Sequence, residues 1–303
     1  KNLIIKELNQ ILSNKINWKE RLFFSEHHLS HAASAFYPSP YERAAILTFD
    51  GVGEWTTTSV AIGDKNKLTI LKEIHFPHSI GLLYSAFTFY AGFKVNSGEY
   101  KLMGLAPYGK PLYEDIIKEK LINIAEDGSF QLNMTYFSFA TGLQMTNEKF
   151  NSLFGGAPRS PESKLTQKEM DLAASIQKVT EEIIVKIAKN IAEFTNEENL
   201  CLAGGVALNC VANGILKREE IFRNIWIQPA AGDAGGAIGA ALSFWHLRFN
   251  KPRDHDNKKD SMNGAFLGPS YKDKDIVSAL ESLGANYEKF SKHDLIEKVV
   301  DDL

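Results

Sequence analysis

Two histidines near the start of the chain have the spacing of a metal-binding pair. In the stretch HHLSH, His27 and His31 are four residues apart, which places both side chains on one face of a helix. Asp50 follows an apolar run, in LTFDGVGEW. Imidazoles together with carboxylates suit iron, zinc or manganese. The pair taken alone has a second explanation, in which both histidines are structural or merely exposed, with His28 pointing elsewhere on the helix.

A second carboxylate, Asp233, opens the Gly- and Ala-rich stretch DAGGAIGAA. Small residues there let a helix pack closely against a sheet or a bound ligand. Asp233 could simply be the N-cap of that helix. It could also be a metal or phosphate-site carboxylate at a strand end, where α/β folds place function. The local sequence leaves both interpretations open.

Glycines follow two predicted strands and indicate backbone close to a ligand. Gly204 and Gly205 lie between a strand and a helix, and we expect Asn209 one turn into that helix, where it could bind a ligand. Gly51 and Gly53 predict a turn whose amides could meet a phosphate. Neither stretch is a Walker A loop or a GxGxxG fingerprint. The alternative for the glycine pair is a tight turn with close helix–strand packing.

The segments around these residues predict an α/β or α+β framework. We expect helices over residues 2–13, 79–93, 111–125 and 165–194, a three-strand meander over 43–76, and a short strand leading into the histidine helix. Thr166 and Glu169 predict a capping box at the start of the longest helix. A polar stretch near Asp260 predicts a linker, with domains at 1–258 and 259–303.

Composition limits the classes of function. The 303 residues have 44% hydrophobic content and a net charge of −3, so we expect no nucleic acid as a partner. We expect no membrane segment, because the longest apolar stretch is interrupted by Asp233. Cys201 and Cys210 lack CxxC spacing, which predicts two core thiols in a reduced, cytoplasmic chain. The chain starts without Met and stops within a helical pattern, so we expect a fragment truncated at both ends.

Several stretches, in this order, resemble one known family. They are HHLSHAASAFYPS, TFDGVGEW, GEYKLMGLAPYG, FGGAPRSPES, CLAGGVALNCVANG and QPAAGDAGGAIGAAL. They resemble carbamoyltransferases of the nodulation protein U, cephem carbamoyltransferase and TobZ type. The resemblance runs from about residue 20 to the end. It implies a main domain of the actin-like ATPase (ribonuclease H-like) fold, similar to the tRNA threonylcarbamoyl transferase.

The resemblance implies a role for individual residues. A divalent metal, Fe²⁺ by preference, would be held by His27, His31, Asp50 and Asp233. The adenosine-binding glycine motif falls on the stretch that contains Gly204, Gly205 and Asn209. We further expect Glu99 and Lys101 to line an acceptor cleft. Arg159 could reach an anionic ligand, with a surface loop role as the alternative. We assign no role to His75, His78, His246 and His255.

The implied activity is O-carbamoyl transfer. Carbamoyl phosphate and ATP would form carbamoyl adenylate, and a hydroxyl of a small molecule or glycan would accept the carbamoyl group. A homodimer is left open. Two alternatives are a tRNA threonylcarbamoyl transferase-like enzyme and a non-catalytic nucleotide-binding module. Family members also have a first-lobe strand–turn unit and a C-terminal YrdC-like region. The first is not found here and only the approach to the second is present, so we expect this chain alone to bind metal and nucleotide without completing the reaction.

Overall fold

The computed structural model describes residues 1–12, 16–253 and 258–303. His255 lies outside the described residues. Two compact units are present, Lys1–Met262 and Asn263–Leu303. The boundary predicted between residues 258 and 259 falls inside the first unit, close to its end.

The first unit contains one large sheet and the helices that cover it. Its helices are α1 (Asn2–Ile11), α2 (Trp18–Arg21), α3 (His27–Phe36), α4 (Ile80–Tyr90), α5 (Glu99–Leu105), α6 (Glu114–Ile116), α7 (Glu148–Leu153), α8 (Gln167–Thr195), α9 (Cys210–Arg218) and α10 (Asp233–Ser243). Its strands are β1 (Arg43–Phe49), β2 (Thr56–Asp64), β3 (Lys67–His75), β4 (Ile122–Ile124), β5 (Phe130–Leu132), β6 (Asn199–Ala203) and β7 (Asn224–Ile227).

The large sheet has the strand order β3-β2-β1-β6-β7. The predicted meander is confirmed, since β1, β2 and β3 pair in antiparallel fashion. β6 and β7 continue the sheet parallel to β1. Ala45, Leu47 and Phe49 face the larger core, with α4 and α8. Ile46 faces the smaller core, with α3. Alternate residues of β1 therefore contact helices on opposite faces, which explains its almost continuous burial.

Helix α8 begins as the sequence predicts. The Thr166 N–H donates to the Glu169 carboxylate at 2.9 Å, the reciprocal half of a capping box. At the other end Asn196 takes the left-handed conformation, with φ 53°, and terminates the helix.

Two predicted elements are wrong. The strand predicted just before α3 does not form: the described residues 21–24 include no strand, and the ring of Phe23 lies 4.3 Å from the ring of Phe244. The helix predicted over residues 111–125 stops early, and β4 follows it directly. There Ile122 pairs with Leu132 of β5 across a turn in which Gly128 has φ 83°. Cross-strand pairing, a tertiary interaction, overrides the local helical pattern.

The predicted linker contains a structured clamp on the end of α3. The Arg253 guanidinium donates to the carbonyl oxygens of Phe36 at 2.7 Å and Tyr37 at 2.9 Å, and also to those of Ser39 and Tyr41. The same cation lies 4.3 Å from the ring centroid of Phe36. A cation at this position satisfies the terminal carbonyls and complements the helix dipole. Part of the predicted linker thus belongs to the first unit.

The prediction of two core thiols is half right. Both cysteines are free; Cys201 is buried, whereas Cys210 is exposed at the first position of α9. Local apolar residues around Cys210 did not reveal this, because the start of a helix can face solvent while its later turns are buried.

The second unit contains two helices, α11 (Asp273–Ser282) and α12 (Lys292–Asp302). Neither has a buried residue. The α/β unit predicted to begin here has no strand among the residues described. Within the described part of the chain, no helix is both long and apolar enough to cross a lipid bilayer.

Candidate metal centre

One edge of the sheet collects the ends of three parallel strands. Asp50 follows β1, Gly204 follows β6, and Asp233 comes after the loop that follows β7. Because parallel strands end at the same sheet edge, residues distant in sequence meet there. Helix α3 brings His27 and His31 to the same edge.

Four side chains converge at this edge. One ligand atom from each of His27, His31, Asp50 and Asp233 lies within 4.8 Å of all the others. His27 Nε2 is 2.7 Å from Asp50 Oδ2 and 3.4 Å from Asp233 Oδ1. His31 Nε2 is 3.3 Å from Asp50 Oδ2 and 3.5 Å from Asp233 Oδ1. The two Nε2 atoms are 3.0 Å apart. The four residues chosen from the sequence therefore form one cluster.

The backbone around Asp50 is fixed from two sides. Its N–H donates to the Thr57 carbonyl at 2.9 Å, and the Ser79 hydroxyl donates to the Asp50 carbonyl at 3.1 Å. The Gly205 N–H donates to Asp50 Oδ1 at 3.2 Å, which leaves Oδ2 to face the histidines. Sequence reasoning missed Ser79. Its signal was the N-cap position of α4, where a serine is favoured.

The start of α3 is held by the loop after Asp50. The His27 backbone N–H donates to both carboxylate oxygens of Glu54, at 3.2 and 3.1 Å. A carboxylate is stabilising at a helix N-terminus. At Gly53 any Cβ would come within 2.9 Å of His27 Cβ. Gly53 is thus required for close packing against the histidine. Glu54 was not identified from the sequence.

Charge and burial shift the ionisation of the site. The hydrogen bond to Asp50 raises the pKa of His27, against the effect of burial. Burial by itself would raise the pKa of Asp50, but hydrogen bonds from His27 and His31 outweigh it and hold that pKa below its usual range. Burial lowers the pKa of His28 to about 4, so that ring is neutral at pH 7.

The donor set fits a divalent metal ion. Ligands at about 2.0–2.2 Å from one ion hold their donor atoms roughly 3–4 Å apart, close to the separations observed. Two neutral imidazoles and two carboxylates would balance the charge of a divalent ion. The side chain of Asp233 is 79% exposed, whereas that of His31 is 1% exposed, so the site opens on the Asp233 side. Gly232 is the N-cap of α10 and Asp233 makes no side-chain cap, which disfavours the N-cap interpretation.

The glycine pair connects the three strand ends. Gly204 has φ 88°, its N–H donates to the Ala231 carbonyl at 2.8 Å, and a Cβ would overlap the Phe49 carbonyl oxygen. The Gly205 N–H donates to the Asp50 carboxylate, and the Gly53 N–H donates to the Thr56 carbonyl at 2.9 Å. These three amides are therefore engaged within the protein. A Cβ at Gly51 would meet only Leu82 Cδ2, at an ordinary contact distance of 3.9 Å.

Asn209 lies at the N-cap of α9, not one turn into it. Its side chain accepts from the Ala212 N–H at 3.0 Å and from Gln177 Nε2 at 3.1 Å, and its own amide donates to Gln177 Oε1 at 3.0 Å. It is 9% exposed. The predicted position is wrong because a short 3-10 turn, Gly205–Leu208, separates β6 from α9.

The remaining predicted residues lie outside the four-residue cluster. The Glu99 carboxylate accepts from the Ser85 hydroxyl at 2.7 Å and from the Gly98 N–H at 3.1 Å. Lys101 is exposed on α5. Arg159 donates to the Ala91 carbonyl at 2.6 Å and to other backbone carbonyls, so its guanidinium fixes a loop.

Comparison with known proteins identifies the family. Residues 1–242 match the family model described as carbamoyltransferase N-terminus. The chain belongs to this carbamoyltransferase family. A Synechocystis protein, sll1178, is 58% identical over 301 residues, covering 99% of this chain and 49% of that protein. Nodulation protein NolNO of Sinorhizobium fredii is 38% identical over 270 residues, covering 88% of this chain and 37% of that protein. The chain thus spans half or less of the length of these relatives.

One solved structure is also similar to this carbamoyltransferase-family chain. It is HypF of T. kodakarensis, with a TM-score of 0.43 and 13% sequence identity, covering 83% of this chain and 39% of the other. At this TM-score the likeness does not support a fold assignment.

Proposed function

We propose that this chain is the metal- and nucleotide-binding part of an O-carbamoyltransferase. The observation that carries the proposal is the convergence of His27, His31, Asp50 and Asp233 in a chain of the carbamoyltransferase N-terminus family. The proposed acceptor is a hydroxyl of a small molecule or glycan. The proposed co-substrates are carbamoyl phosphate and ATP, by way of carbamoyl adenylate.

Each residue of the cluster has a proposed task. His27 and His31 would bind the ion through Nε2, and Asp50 and Asp233 through carboxylate oxygens. Fe²⁺ is the proposed ion. When bound, the metal would polarise the carbamoyl oxygen and stabilise the charge that develops during acyl transfer. Asp50 also accepts from Gly205, which keeps the carboxylate aimed at the histidines.

The nucleotide is proposed to bind at the same sheet edge. Gly205 is exposed there, and α10 begins with small residues, among them Gly236, whose Cβ position has no neighbour within 4 Å. A helix N-terminus favours phosphate groups. The Gly204 amide is engaged, so its proposed part is to shape the turn; Gly51 is proposed to line the phosphate side. Asn209 is proposed to act through the packing of this turn against α8.

An actin-like ATPase fold is proposed for residues 1–258. Residues 259–303 are proposed to be a linker and the start of the C-terminal YrdC-like region. The support is the five-stranded mixed sheet with helices on both faces. Lys101, exposed on the short helix next to Glu99, is proposed to face the acceptor cleft.

The test uses the full-length protein. Carbamoyl-phosphate-dependent release of AMP and pyrophosphate from ATP reports the reaction class without knowledge of the acceptor. Release that requires added metal and is lost in His31→Ala supports the proposal. A protein that binds ATP and metal but never releases pyrophosphate with carbamoyl phosphate would contradict it.

A further inference from the structure

Three buried polar atoms beneath α3 lack a protein partner. They are His31 Nδ1, His28 Nε2 and Thr48 Oγ1. His31 is 1% exposed, His28 4% and Thr48 0%. A buried polar atom without a hydrogen bond costs roughly 1–3 kcal/mol, so native proteins satisfy such atoms, often with ordered water.

The three atoms belong to one small region. Thr48 of β1 lies opposite Ser59 of β2, on the sheet face that carries Ile46 and contacts α3. The His28 ring lies next to this pair of strand residues, because its Nδ1 is 2.9 Å from Ser59 Oγ. The rings of His28 and His31 are edge to face, with centroids 6.2 Å apart.

The direction of α3 places His31 over the end of β1 that contains Thr48. Near the end of α3, Phe36 packs against Gly63, which lies opposite Ala44. The helix therefore runs antiparallel to β1, with its first turns over the last residues of the strand. Helical side chains tilt towards the N-terminus, which directs the His31 ring towards the end of β1 that contains Thr48.

We propose that His28, His31 and Thr48 bind one buried water molecule, which orients His31 as a metal ligand. The water would accept from His31 Nδ1–H and from the Thr48 hydroxyl and would donate to His28 Nε2. His28 Nδ1–H would donate to Ser59 Oγ. These three atoms are then all satisfied, and the water makes three bonds, the usual number for a buried water.

The water would set the tautomer of His31. A proton held on Nδ1 leaves the Nε2 lone pair free for the metal, and such outer contacts typically change metal affinity about 10–100-fold when removed. The inference rests on the proposed metal-binding role of His31. Thr48 is a positioning residue here, since it does not touch the metal or the substrate.

The test compares Thr48→Val with Thr180→Val. Thr180 is a matched control: it is 0% exposed, its hydroxyl also lacks a protein partner, and it lies on α8, against the opposite face of the sheet. Fe²⁺ or Co²⁺ affinity is measured by competition with a chelator, and the visible spectrum of the Co²⁺ form reports ligand geometry. Thr48→Val is expected to weaken affinity about 10-fold and change the spectrum, while Thr180→Val does neither.

The stability of the metal-free protein gives an independent readout. Replacing a truly unpaired hydroxyl by a methyl group should leave stability unchanged or raise it, whereas replacing one that binds a water should lower it. We expect Thr48→Val to lower the Tm of the metal-free protein relative to the wild type. A crystal structure should also show the water.

The outcomes separate this inference from the proposed function. Metal binding by the wild type that is unchanged in Thr48→Val, with an unchanged or higher Tm, overturns the water site alone. A wild type that binds no metal overturns the proposed function, while the Tm comparison and the crystal structure still decide whether the water is present. A direct contact between His31 Nδ1 and a protein acceptor, with no water, would also overturn the inference.

Discussion

The Nε2 atoms of His27 and His31 face one another at 3.0 Å, and Asp50 Oδ2 lies 2.7 Å from the first and 3.3 Å from the second. In a pair of neutral imidazoles only one of two facing nitrogens can donate, so the other must be an acceptor. A shared cation satisfies both nitrogens and the carboxylate together. The spacing of four residues on α3 produces this arrangement.

Removal of one histidine should abolish tight metal binding. We expect His31→Ala to hold less than about a tenth of the wild-type metal after anaerobic reconstitution, because a buried ligand is lost and the remaining histidine keeps its hydrogen bond to Asp50. Elemental analysis of the purified protein measures the amount of bound metal. His75→Ala is the control, since His75 is exposed and pairs with Glu73. Equal metal content in both variants would refute the assignment.

The two carboxylates should differ in what they stabilise. Asp233→Asn is expected to weaken metal binding with little change in the Tm of the metal-free protein, because the Asp233 side chain is 79% exposed. Asp50→Asn should lower both the metal affinity and the Tm of the metal-free protein, since Asp50 is buried against both histidines. Chelator competition and thermal unfolding measure the two effects. A large loss of Tm in Asp233→Asn would show that its role is structural.

The two adjacent glycines should respond differently to alanine. Gly204→Ala should lower the free energy of unfolding by at least about 2 kcal/mol, because φ 88° and the overlap with the Phe49 carbonyl oxygen both oppose a Cβ. Gly205→Ala should cost much less, since Gly205 is not in the left-handed region and its Cβ would meet only Asp50 Oδ1, at 3.2 Å. Urea unfolding measures the free energy of unfolding of each variant. Similar losses in both variants would contradict this account of the turn.

Metal affinity should fall as the pH is lowered. The hydrogen bond to Asp50 raises the pKa of His27, so the metal-free site keeps a proton there to a higher pH than an isolated imidazole would. Metal must displace that proton, and affinity should therefore increase with pH until the His27 pKa is passed. Calorimetry in buffers of different ionisation enthalpy should detect proton release below the His27 pKa and less above it. A release that does not change with pH would exclude His27 as its source.

The Arg253 clamp should contribute to the stability of the first unit. Arg253→Ala is expected to lower the free energy of unfolding by about 2 kcal/mol or more, since four carbonyl groups at the end of α3 and in the loop after it lose a charged donor. Arg253→Lys should recover only part of this, because an ammonium group cannot reproduce the planar fork. The control is Arg223→Ala, which removes an exposed ion pair with Glu198. A loss no greater than that of Arg223→Ala would show that the clamp is not stabilising.

Patterns within a single segment were readable from the sequence. β-rich runs separated by turn residues indicated the β1–β3 meander, and the capping box at Thr166 marked the start of α8. The His27 and His31 spacing is also local, because it depends only on helical periodicity. Patterns that depend on distant partners were misread, such as the helix predicted where β4 forms.

The sequence by itself determined which side chains were candidates: two histidines at helical spacing and carboxylates or glycines after apolar strands. The tertiary structure alone decided that they meet. β1, β6 and β7 are parallel and end at one sheet edge, so residues as far apart as His27 and Asp233 come within 3.4 Å. It also decided that the Gly205 amide binds Asp50 and that Asn209 caps α9. Hydrogen bonds of this kind join residues distant in sequence, and no periodicity in a single segment encodes them.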